Sequence, residues 1–363
     1  MSYVAYTATP YANFLNENTP ESLFPRDFIQ TLGVSDQYFG PQQIFGIPEF
    51  ADDDESGISG MNIVREVSLA DVQTIKNTQE GYSDLLPETL QDALCWFIAC
   101  AACLRSRRYK TPTSMLIHTS PRTSDHRRLE KAVQRWFRSR SQEQILERCR
   151  TVWKRETEAL TQTDFYKQYP NYGEAENERE IPDYPSFDEL IPYIHELLEN
   201  KITTIKLDGK EDGEAKFVYT TGIHLCVDNS CNNTVEDETV KRLIYSESDK
   251  MPCAAPAFII IGGTTISRGL TLEGLTSSYF LRAAGQADTL MQMCRWYGYR
   301  KTYELLPRIW MTDNTRRQIY FLSGMDYDLR QSIQTMDQNG ETPDKYPPRI
   351  INSPKYPRTQ NYQ

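Results

Sequence analysis

A chain of 363 residues, of which 39% are hydrophobic and 25% charged, is long enough for two domains or for one domain with a large insertion. Its net charge of −10 argues against a uniformly basic nucleic-acid-binding protein. No segment approaches the roughly 20 apolar residues of a membrane span, and the first ten residues lack the features of a signal peptide. We therefore expect a cytoplasmic protein with no membrane contact.

The N-terminal region is predicted to contain one short strand followed by loops. The strand reads S-Y-V-A-Y and ends at T-A-T-P, which contains Thr7 and Thr9. Residues 16–50 are rich in proline, which favours loops. An acidic connector, Asp52 to Glu55, comes next. Consecutive acids rarely converge on one metal ion, so a solvated linker is the favoured interpretation of this cluster.

The next predicted elements are a long buried helix and a buried strand. Apolar residues recur at helical spacing over 87–108, and T-S-M-L-I-H-T-S, residues 113–120, has the pattern of a short buried strand. The helix carries Cys100 and Cys103 as a C-x-x-C pair, without a second pair at zinc-ligand spacing. Buried reduced thiols are the favoured interpretation, and a zinc or redox site is the alternative.

A strongly basic segment follows the strand and is predicted to form two helices over 124–160. From Arg105 to Arg155 there are fifteen Lys or Arg against four Asp or Glu, a local balance of +11. The rest of the chain then carries about −21, which is −10 minus +11. Two interpretations stay open: a track for a polyanion, or a solvated helix face that pairs with acidic segments elsewhere.

The C-terminal half is predicted to alternate strands with helices. A helix is expected over 187–200 and another over 236–246, and strand character is seen around residues 216–228. Three further strands read A-F-I-I-I-G-G, S-S-Y-F-L-R and R-I-W-M-T, with a helix from Ala287 to Tyr297 between the last two. This alternation favours a parallel sheet covered by helices on both faces. Ligands bind such sheets beyond the carboxyl ends of the strands.

A polar cluster follows the predicted helix in the stretch Q-M-C-R-W-Y-G-Y-R, residues 292–300. Gln292 and Arg295 are three residues apart and share a helical face, and Arg300 returns near that face if the helix continues beyond Gly298. The planar guanidinium group suits phosphate oxygens. On spacing alone, a structural ion-pair cluster with Asp288 and Glu273 is an equally good interpretation.

The order of the motifs resembles that of superfamily-two helicases and translocases. T-A-T-P, a strand ending L-I-H-T-S, the segment T-T-I-S-R-G-L and a Q-x-x-R with a further arginine follow the order of motifs III to VI. More closely, Y-T-A-T-P-Y-A-N-F, I-S-R-G-L-T-L-E-G-L-T, D-T-L-M-Q-M-C-R-W-Y-G-Y-R and G-E-T-P-D resemble the Z-one domain family over nearly the whole chain. That family carries an endonuclease label and is linked to superfamily-two cores in bacterial and phage DNA-processing and defence systems. Cys294 stands where the family usually has glycine, and the arginine offsets of three and eight differ from the more usual four and seven.

The resemblance implies a fold and a set of roles. The implied fold is α/β, a RecA-like parallel sheet flanked by helices that forms the second motor lobe, with a helical insertion. Arg295 or Arg300 would be the arginine finger that stabilises charge on a transferring phosphate, oriented by Gln292. Residues that would contact nucleic acid, or couple it to the nucleotide, are Thr7, Thr9, His118, Thr119, Ser120, Arg122, Thr264, Thr265, Ser267, Arg268 and Gly269. Gly262 and Gly263 would form the structural turn that lets the backbone approach closely.

The implied organisation has five segments. They are the end of a first motor lobe with a connector (1–60), the first helix and strand of the second lobe (61–120), a basic helical insertion (121–200), the rest of the lobe with motifs V and VI (201–340) and a tail rich in proline and tyrosine (341–363). The tail would dock on the core or stack on single strands.

The sequence contains neither a phosphate-binding G-x-x-x-x-G-K-[ST] loop nor a D-E-x-[DH] box. We therefore expect ATP and Mg²⁺ to bind only together with a complementary first lobe, and this chain alone not to hydrolyse ATP. The expected partners are DNA and the missing N-terminal lobe, on the same or another polypeptide. No metal site of the chain's own is predicted.

Two other functions remain open. A metal-dependent endonuclease needs converging acids, and the candidates are Asp228, Glu236, Asp237, Glu238 and Asp249, none at a nuclease-like spacing. The other is a non-catalytic adaptor for a partner ATPase.

Overall fold

The computed structural model describes residues 24–32, 38–48, 57–173, 180–199, 202–211, 214–229, 239–245, 251–263, 272–281, 287–298 and 301–343. Backbone contacts divide the chain into two units. The first comprises Met1–Met61, Ala283–Tyr299 and Asn314–Gln363, and the second comprises Asn62–Arg282 and Arg300–Asp313. The five segments predicted from the sequence are functional assignments and stay a prediction.

The helices of the described residues are α1 (Pro41–Phe45), α2 (Leu69–Glu80), α3 (Glu88–Ser106), α4 (Thr123–Ser139), α5 (Gln142–Ala159), α6 (Gln162–Gln168), α7 (Phe187–Glu199), α8 (Ala287–Cys294) and α9 (Asp313–Gln338). The strands are β1 (Gly46–Ile47), β2 (Ile58–Ser59), β3 (Val64–Glu66), β4 (Thr113–His118), β5 (Ile202–Thr203), β6 (Ile205–Glu211), β7 (Glu214–Val218), β8 (Ile223–Asp228), β9 (Thr239–Val240), β10 (Ala257–Gly262), β11 (Leu275–Phe280) and β12 (Arg308–Met311).

A seven-stranded sheet forms the centre of the second unit. Its strand order is β3-β12-β11-β4-β10-β8-β5, and every neighbouring pair is parallel. Strands β4, β8, β10, β11 and β12 are buried along their whole length, which explains their nearly continuous apolar sequences. The predicted α/β fold with a RecA-like parallel sheet flanked by helices is confirmed.

One face of the sheet packs into the main hydrophobic core. Met115 and Ile117 of β4 and Ile259 and Ile261 of β10 belong to this core, because alternate residues of a strand point to the same side. The predicted helix over 87–108 is α3, and almost all of it is buried in the same core, including Cys100 and Cys103. Both cysteines are buried and form no disulfide, as the interpretation as buried thiols predicts, and burial raises the pKa of the Cys103 thiol to about 11.

The predicted helical insertion lies between β4 and β5. The two basic helices expected over 124–160 are α4 and α5, and α6 and α7 complete the connection. Helix α5 is fixed to β12 by a buried charge network around Arg308, whose side chain is fully buried. The Nε atom of Arg308 donates to a carboxylate oxygen of Glu156 at 3.0 Å, and the Nε atom of Arg65 donates to the same oxygen at 2.6 Å.

The described part of the first unit contains α1, the β1–β2 pair, α8 and most of α9. Phe45 of α1 packs edge-on against Tyr297, with ring centroids 6.2 Å apart. The predicted helix from Ala287 to Tyr297 is α8, which ends at Cys294 and continues as one 3₁₀ turn over Arg295–Tyr297.

One secondary-structure prediction is wrong. A helix was expected over 236–246, but Thr239–Val240 is a strand that pairs with β6, and residues 241–245 are not helical. Val240 is β-branched and buried, so it favours a place in this small antiparallel sheet of β7, β6 and β9. None of the described helices combines the length and the apolar character that crossing a membrane would require.

Candidate functional site

The carboxyl ends of four central strands lie at one edge of the sheet. Register places Gly262 of β10 beside Asp228 of β8, and His118 of β4 beside Phe280 of β11. His118 is fully buried, and its Nδ1 atom lies 2.7 Å from the carbonyl oxygen of Gly262. A carbonyl oxygen only accepts, so Nδ1 carries the hydrogen. His118 therefore ties β4 to β10 and shapes this edge from within.

The turn between β4 and α4 presents polar groups at the same edge. The Gln79 amide donates to the Thr119 hydroxyl at 2.6 Å. The Ser120 hydroxyl donates to an oxygen of Asp125 at 2.6 Å and accepts from the backbone N–H of Arg122 at 3.1 Å. The side chain of Arg122 is exposed at the start of α4. These hydrogen bonds hold the turn in one shape, with the exposed side chain of Arg122 at its outer end.

A buried histidine not selected from the sequence supports this turn. The Nε2 atom of His126 lies 2.7 Å from the carbonyl oxygen of Ser120 and so donates to it. Burial lowers the pKa of His126, despite the carbonyl of Ser120 and the charge of Asp125, which act to raise it. His126 is therefore neutral near pH 7. The signal that could have identified it is its place in the first turn of a helix that directly follows a strand-ending motif.

His126 also explains the glycine at position 263. A Cβ atom on Gly263 would lie 3.1 Å from the Cε1 atom of the His126 ring and 3.6 Å from its Nε2 atom. This is tighter than nearly all real Cβ contacts. Close packing of the end of β10 against the first turn of α4 therefore favours glycine, because a side chain here would require the His126 ring to shift by a few tenths of an ångström. Gly262 is the last residue of β10, paired with Asp228.

In the first unit, Arg295 stands on the 3₁₀ turn after α8. Its side chain is exposed and makes no ion pair with the described part of the chain, whereas Gln292 is half-buried. Burial raises the pKa of Tyr38, and the charges of Arg330 and Arg295 act against that rise, so both guanidiniums lie near the Tyr38 hydroxyl. Arg330, on α9, was not selected from the sequence and pairs with Asp326 at 2.8 Å.

The backbone around Arg295 is constrained by a neighbouring glycine. A Cβ atom on Gly298 would lie 2.9 Å from the carbonyl oxygen of Phe39 and 3.3 Å from the ring of Tyr38. The backbone N–H of Gly298 donates to the carbonyl of Arg295, which closes the 3₁₀ turn. Close packing of Gly298 against the segment Tyr38–Phe39 therefore sets the position from which Arg295 projects.

Several predicted site residues belong to parts of the chain that the structure does not describe. Outside the described residues lie Thr7, Thr9, Thr264, Thr265, Ser267, Arg268, Gly269 and Arg300. Of the acids proposed for a nuclease, Asp228 is described and buried, with Arg242 at 4.0 Å. Glu236, Asp237, Glu238 and Asp249 lie outside the described residues. Within the described part of the chain, no three His, Cys, Asp or Glu side chains are grouped so that they could hold a metal ion.

The fold defines an α/β protein with a RecA-like parallel sheet, whose strand ends and following turns carry polar groups. A family model of the Z1 domain matches residues 89–356, which is most of the chain. The chain therefore belongs to the Z1 domain family, the Z-one family whose motifs the sequence resembles. Neither the comparison with curated proteins nor that with solved structures gives a match.

Proposed function

We propose that this chain is the second motor lobe of a Z1-type, superfamily-two-like, DNA-dependent ATPase or helicase that acts in DNA processing or phage defence. Membership of the Z1 family and the RecA-like parallel sheet support this function. The order of the helicase-like motifs along the sequence supports it as well.

The observation that carries the proposal is the state of Arg295. A structural ion-pair cluster was the competing interpretation of this arginine, and such a cluster needs acidic partners. Arg295 is exposed on a turn packed by Gly298 and forms no ion pair with the side chains that the structure describes, which do not include that of Asp288. An exposed, positioned guanidinium retains all five N–H donors for a phosphate group.

ATP and Mg²⁺ would be held mainly by a first lobe, which supplies the phosphate-binding loop that this sequence lacks. The exposed planar donors of Arg295 fit a phosphate oxygen, so this residue would approach the terminal phosphate from the second lobe, and Arg300 is the alternative. When bound, ATP supplies the phosphoanhydride bond whose hydrolysis drives the motor. The role of Arg295 would be to stabilise negative charge on the phosphate oxygens, oriented by Gln292.

DNA would contact the edge of the parallel sheet in the second unit. The side chain of Arg122, the Thr119 hydroxyl and the backbone N–H groups that begin α4 are suited to phosphate oxygens. His118 and His126 would act indirectly, because both rings are buried and fix the surrounding backbone. The resemblance also implies DNA contacts from residues 264–269, which lie outside the described residues.

The test combines the chain with its phosphate-loop lobe, whether encoded in the same reading frame or by a neighbouring gene, and measures DNA-stimulated ATP hydrolysis. Arg295→Lys keeps the charge but loses the planar fork, and we expect a fall in kcat on the order of 10³-fold or more. Arg150→Lys on α5 is the matched control and should leave kcat unchanged. DNA affinity should be unchanged in both variants.

Hydrolysis that survives at the wild-type rate in Arg295→Ala and in Arg300→Ala would contradict the motor function. Nicking of plasmid DNA by the chain alone with Mg²⁺ or Mn²⁺, abolished by Asp228→Ala, would support the endonuclease instead. A stable complex with the partner lobe that neither binds DNA nor depends on Arg295 would support the adaptor.

A further inference from the structure

Three exposed cations lie along one face of α4 in the basic segment of the second unit. They are Arg127, Lys131 and Arg138, called here the α4 stripe. None of the three forms an ion pair with the described residues.

Helical geometry places the α4 stripe on the side away from the sheet. At 3.6 residues per turn, the three positions lie within about 40° of one another around the helix axis. The buried face of α4, with Ala132 and Trp136, lies on the opposite side. Helix α4 contacts β8 and β10 with that buried face. The stripe therefore faces outward along the whole helix.

The other cations of α4 have partners on the flank between these two faces. Arg135 pairs with Asp84, and Arg128 donates to the backbone carbonyl of Gln79 at 2.5 Å. The two partners, Asp84 and Gln79, precede α3 in the chain, so that segment covers this flank of α4. One acid, Glu130, lies near the stripe, and burial raises its pKa against the charges of Lys241, Lys131 and Arg127. It is a weak counter-charge because it is turned toward the core.

We infer that the α4 stripe binds the phosphate backbone of DNA and continues the contact that begins at the turn before α4. This inference rests on the proposed function and names a second surface for the same partner. The stripe extends about 16 Å along the helix from Arg127 to Arg138. That length spans several phosphate groups of a DNA strand. The stripe starts five residues after Arg122, the exposed cation at the start of α4.

Charge complementarity favours DNA over an acidic protein as the occupant. The chain as a whole carries −10, so a polyanion is repelled by most of its surface and attracted at this line. Three cations in line along one face of a helix suit a backbone that carries a charge at every step. An acidic protein partner would more commonly bring apolar contacts, and the outward face of α4 also carries the polar residues Ser124 and Gln134.

The test measures the affinity for a mixed-sequence single-stranded oligonucleotide between 50 and 200 mM salt. The stripe variant carries Arg127→Gln, Lys131→Gln and Arg138→Gln. Loss of three phosphate contacts should make the slope of log K against log salt concentration shallower by about 2. Over this range the wild-type affinity should then fall about 20-fold more than that of the stripe variant. The effect should be the same for every sequence.

The matched control carries Lys110→Gln, Arg150→Gln and Lys154→Gln, which removes the same charge from elsewhere on the second unit. It should keep the wild-type slope, and circular dichroism should show both variants folded. A control slope as shallow as that of the stripe variant would mean a general charge effect and would overturn the inference. Polyglutamate of equal charge is the second arm: binding as tight as that of DNA would indicate an acidic protein partner and would also overturn it.

The two proposals can fail separately. DNA binding whose salt dependence is untouched in the stripe variant contradicts the stripe and leaves the motor function standing. A stripe-dependent slope together with full ATP hydrolysis in both Arg295→Ala and Arg300→Ala contradicts the motor function and leaves the stripe standing.

Discussion

Helices α4 and α5 are consecutive, similar in length and both rich in arginine, yet their charges are used differently. On α5, Arg148 pairs with Glu88 and Asp92, and Arg155 pairs with Asp92 and with Glu156 of its own helix. On α4, the stripe faces outward without ion pairs to the described residues. Arg148 and Arg155 hold α5 in place, whereas the three stripe cations of α4 are exposed.

The difference follows from what each helix packs against. Helix α5 contacts α3, whose first turns carry Glu88 and Asp92. Acidic residues near a helix N-terminus are stabilised by the helix dipole and are well placed to receive arginines from a neighbour. Helix α4 contacts α2 on one flank and the sheet underneath, and the stripe cations on its outer face form no ion pair with the described residues. A count of charges along the chain therefore does not distinguish a structural arginine from a binding arginine.

The largest loss of stability is expected from a substitution in the buried charge network of α5. Glu156→Ala leaves Arg308 fully buried without its carboxylate partner, and such changes cost about 3–5 kcal/mol of the free energy of unfolding. Urea denaturation of the purified chain measures this. Glu158→Ala, at an exposed position of the same helix, should change the free energy by less than about 0.5 kcal/mol. Equal effects of the two changes would show that the network around Arg308 contributes nothing specific.

The pH dependence of the free energy of unfolding distinguishes the contribution of the Arg308 network from that of buried His224. The Nδ1 atom of His224 donates to the carbonyl of Ala257, and its Nε2 atom accepts from the N–H of Thr220, so the neutral ring is fully bonded. Burial lowers the pKa of His224 to about 4, below the value of about 6.5 in the unfolded chain. Between these values only the unfolded chain binds the proton, so stability falls as the pH falls from about 6.5 to 4. The loss should be on the order of 3 kcal/mol.

The carboxylate of Glu156 affects the free energy of unfolding at lower pH than His224 does. Burial acts to raise its pKa, but the hydrogen bond from Arg65 and the charge of Arg308 outweigh burial and lower it. Its contribution to the free energy of unfolding is therefore complete above the ordinary glutamate pKa of about 4.3 and is lost only as the pH falls further. His224→Gln should flatten the curve above pH 4, whereas His195→Gln, at an exposed position, should not. A curve that stays flat between pH 6.5 and 4 in the wild type would contradict the account of His224.

The smallest effects on stability are expected on the surface of α4. Arg135→Gln removes an exposed pair with Asp84 and should cost about 0–1 kcal/mol. Arg127→Gln removes an exposed cation without such a pair and should stay within about 0.5 kcal/mol of the wild type. Thermal unfolding followed by circular dichroism compares the two. Marked destabilisation by Arg127→Gln would mean that the stripe has a structural role, as the arginines of α5 have.

The central strands of the sheet were predictable because they are buried on both faces, whereas the short outer strands β3 and β5 were not predicted. Runs such as A-F-I-I-I-G-G leave little alternative to a central parallel strand, and the same holds for α3 with its apolar surface on all sides. The prediction around Val240 was wrong because two residues of an edge strand carry too little periodicity to oppose a helical pattern. Pairing with Ile205, distant in sequence, decided the structure there.

The candidate site was predictable at the level of motifs but not of contacts. The sequence placed His118 at the correct edge of the sheet, yet its buried bond to Gly262 depends on the register between β4 and β10. His126 and Arg330 were missed for the same reason, because their roles arise from contacts with Gly263 and Tyr38, which lie far away along the chain. Pairing of the arginines of α5 likewise depends on tertiary contacts.

The most direct test of the difference between the two helices compares one lysine on each. Lys131 of α4 and Lys154 of α5 are both exposed and are matched in chemistry. Their rates of acetylation by a lysine-specific reagent can be followed by mass spectrometry, with and without saturating single-stranded DNA. We predict that DNA slows acetylation of Lys131 and leaves the rate at Lys154 unchanged. Equal protection of both lysines, or protection of Lys154 alone, would contradict the account.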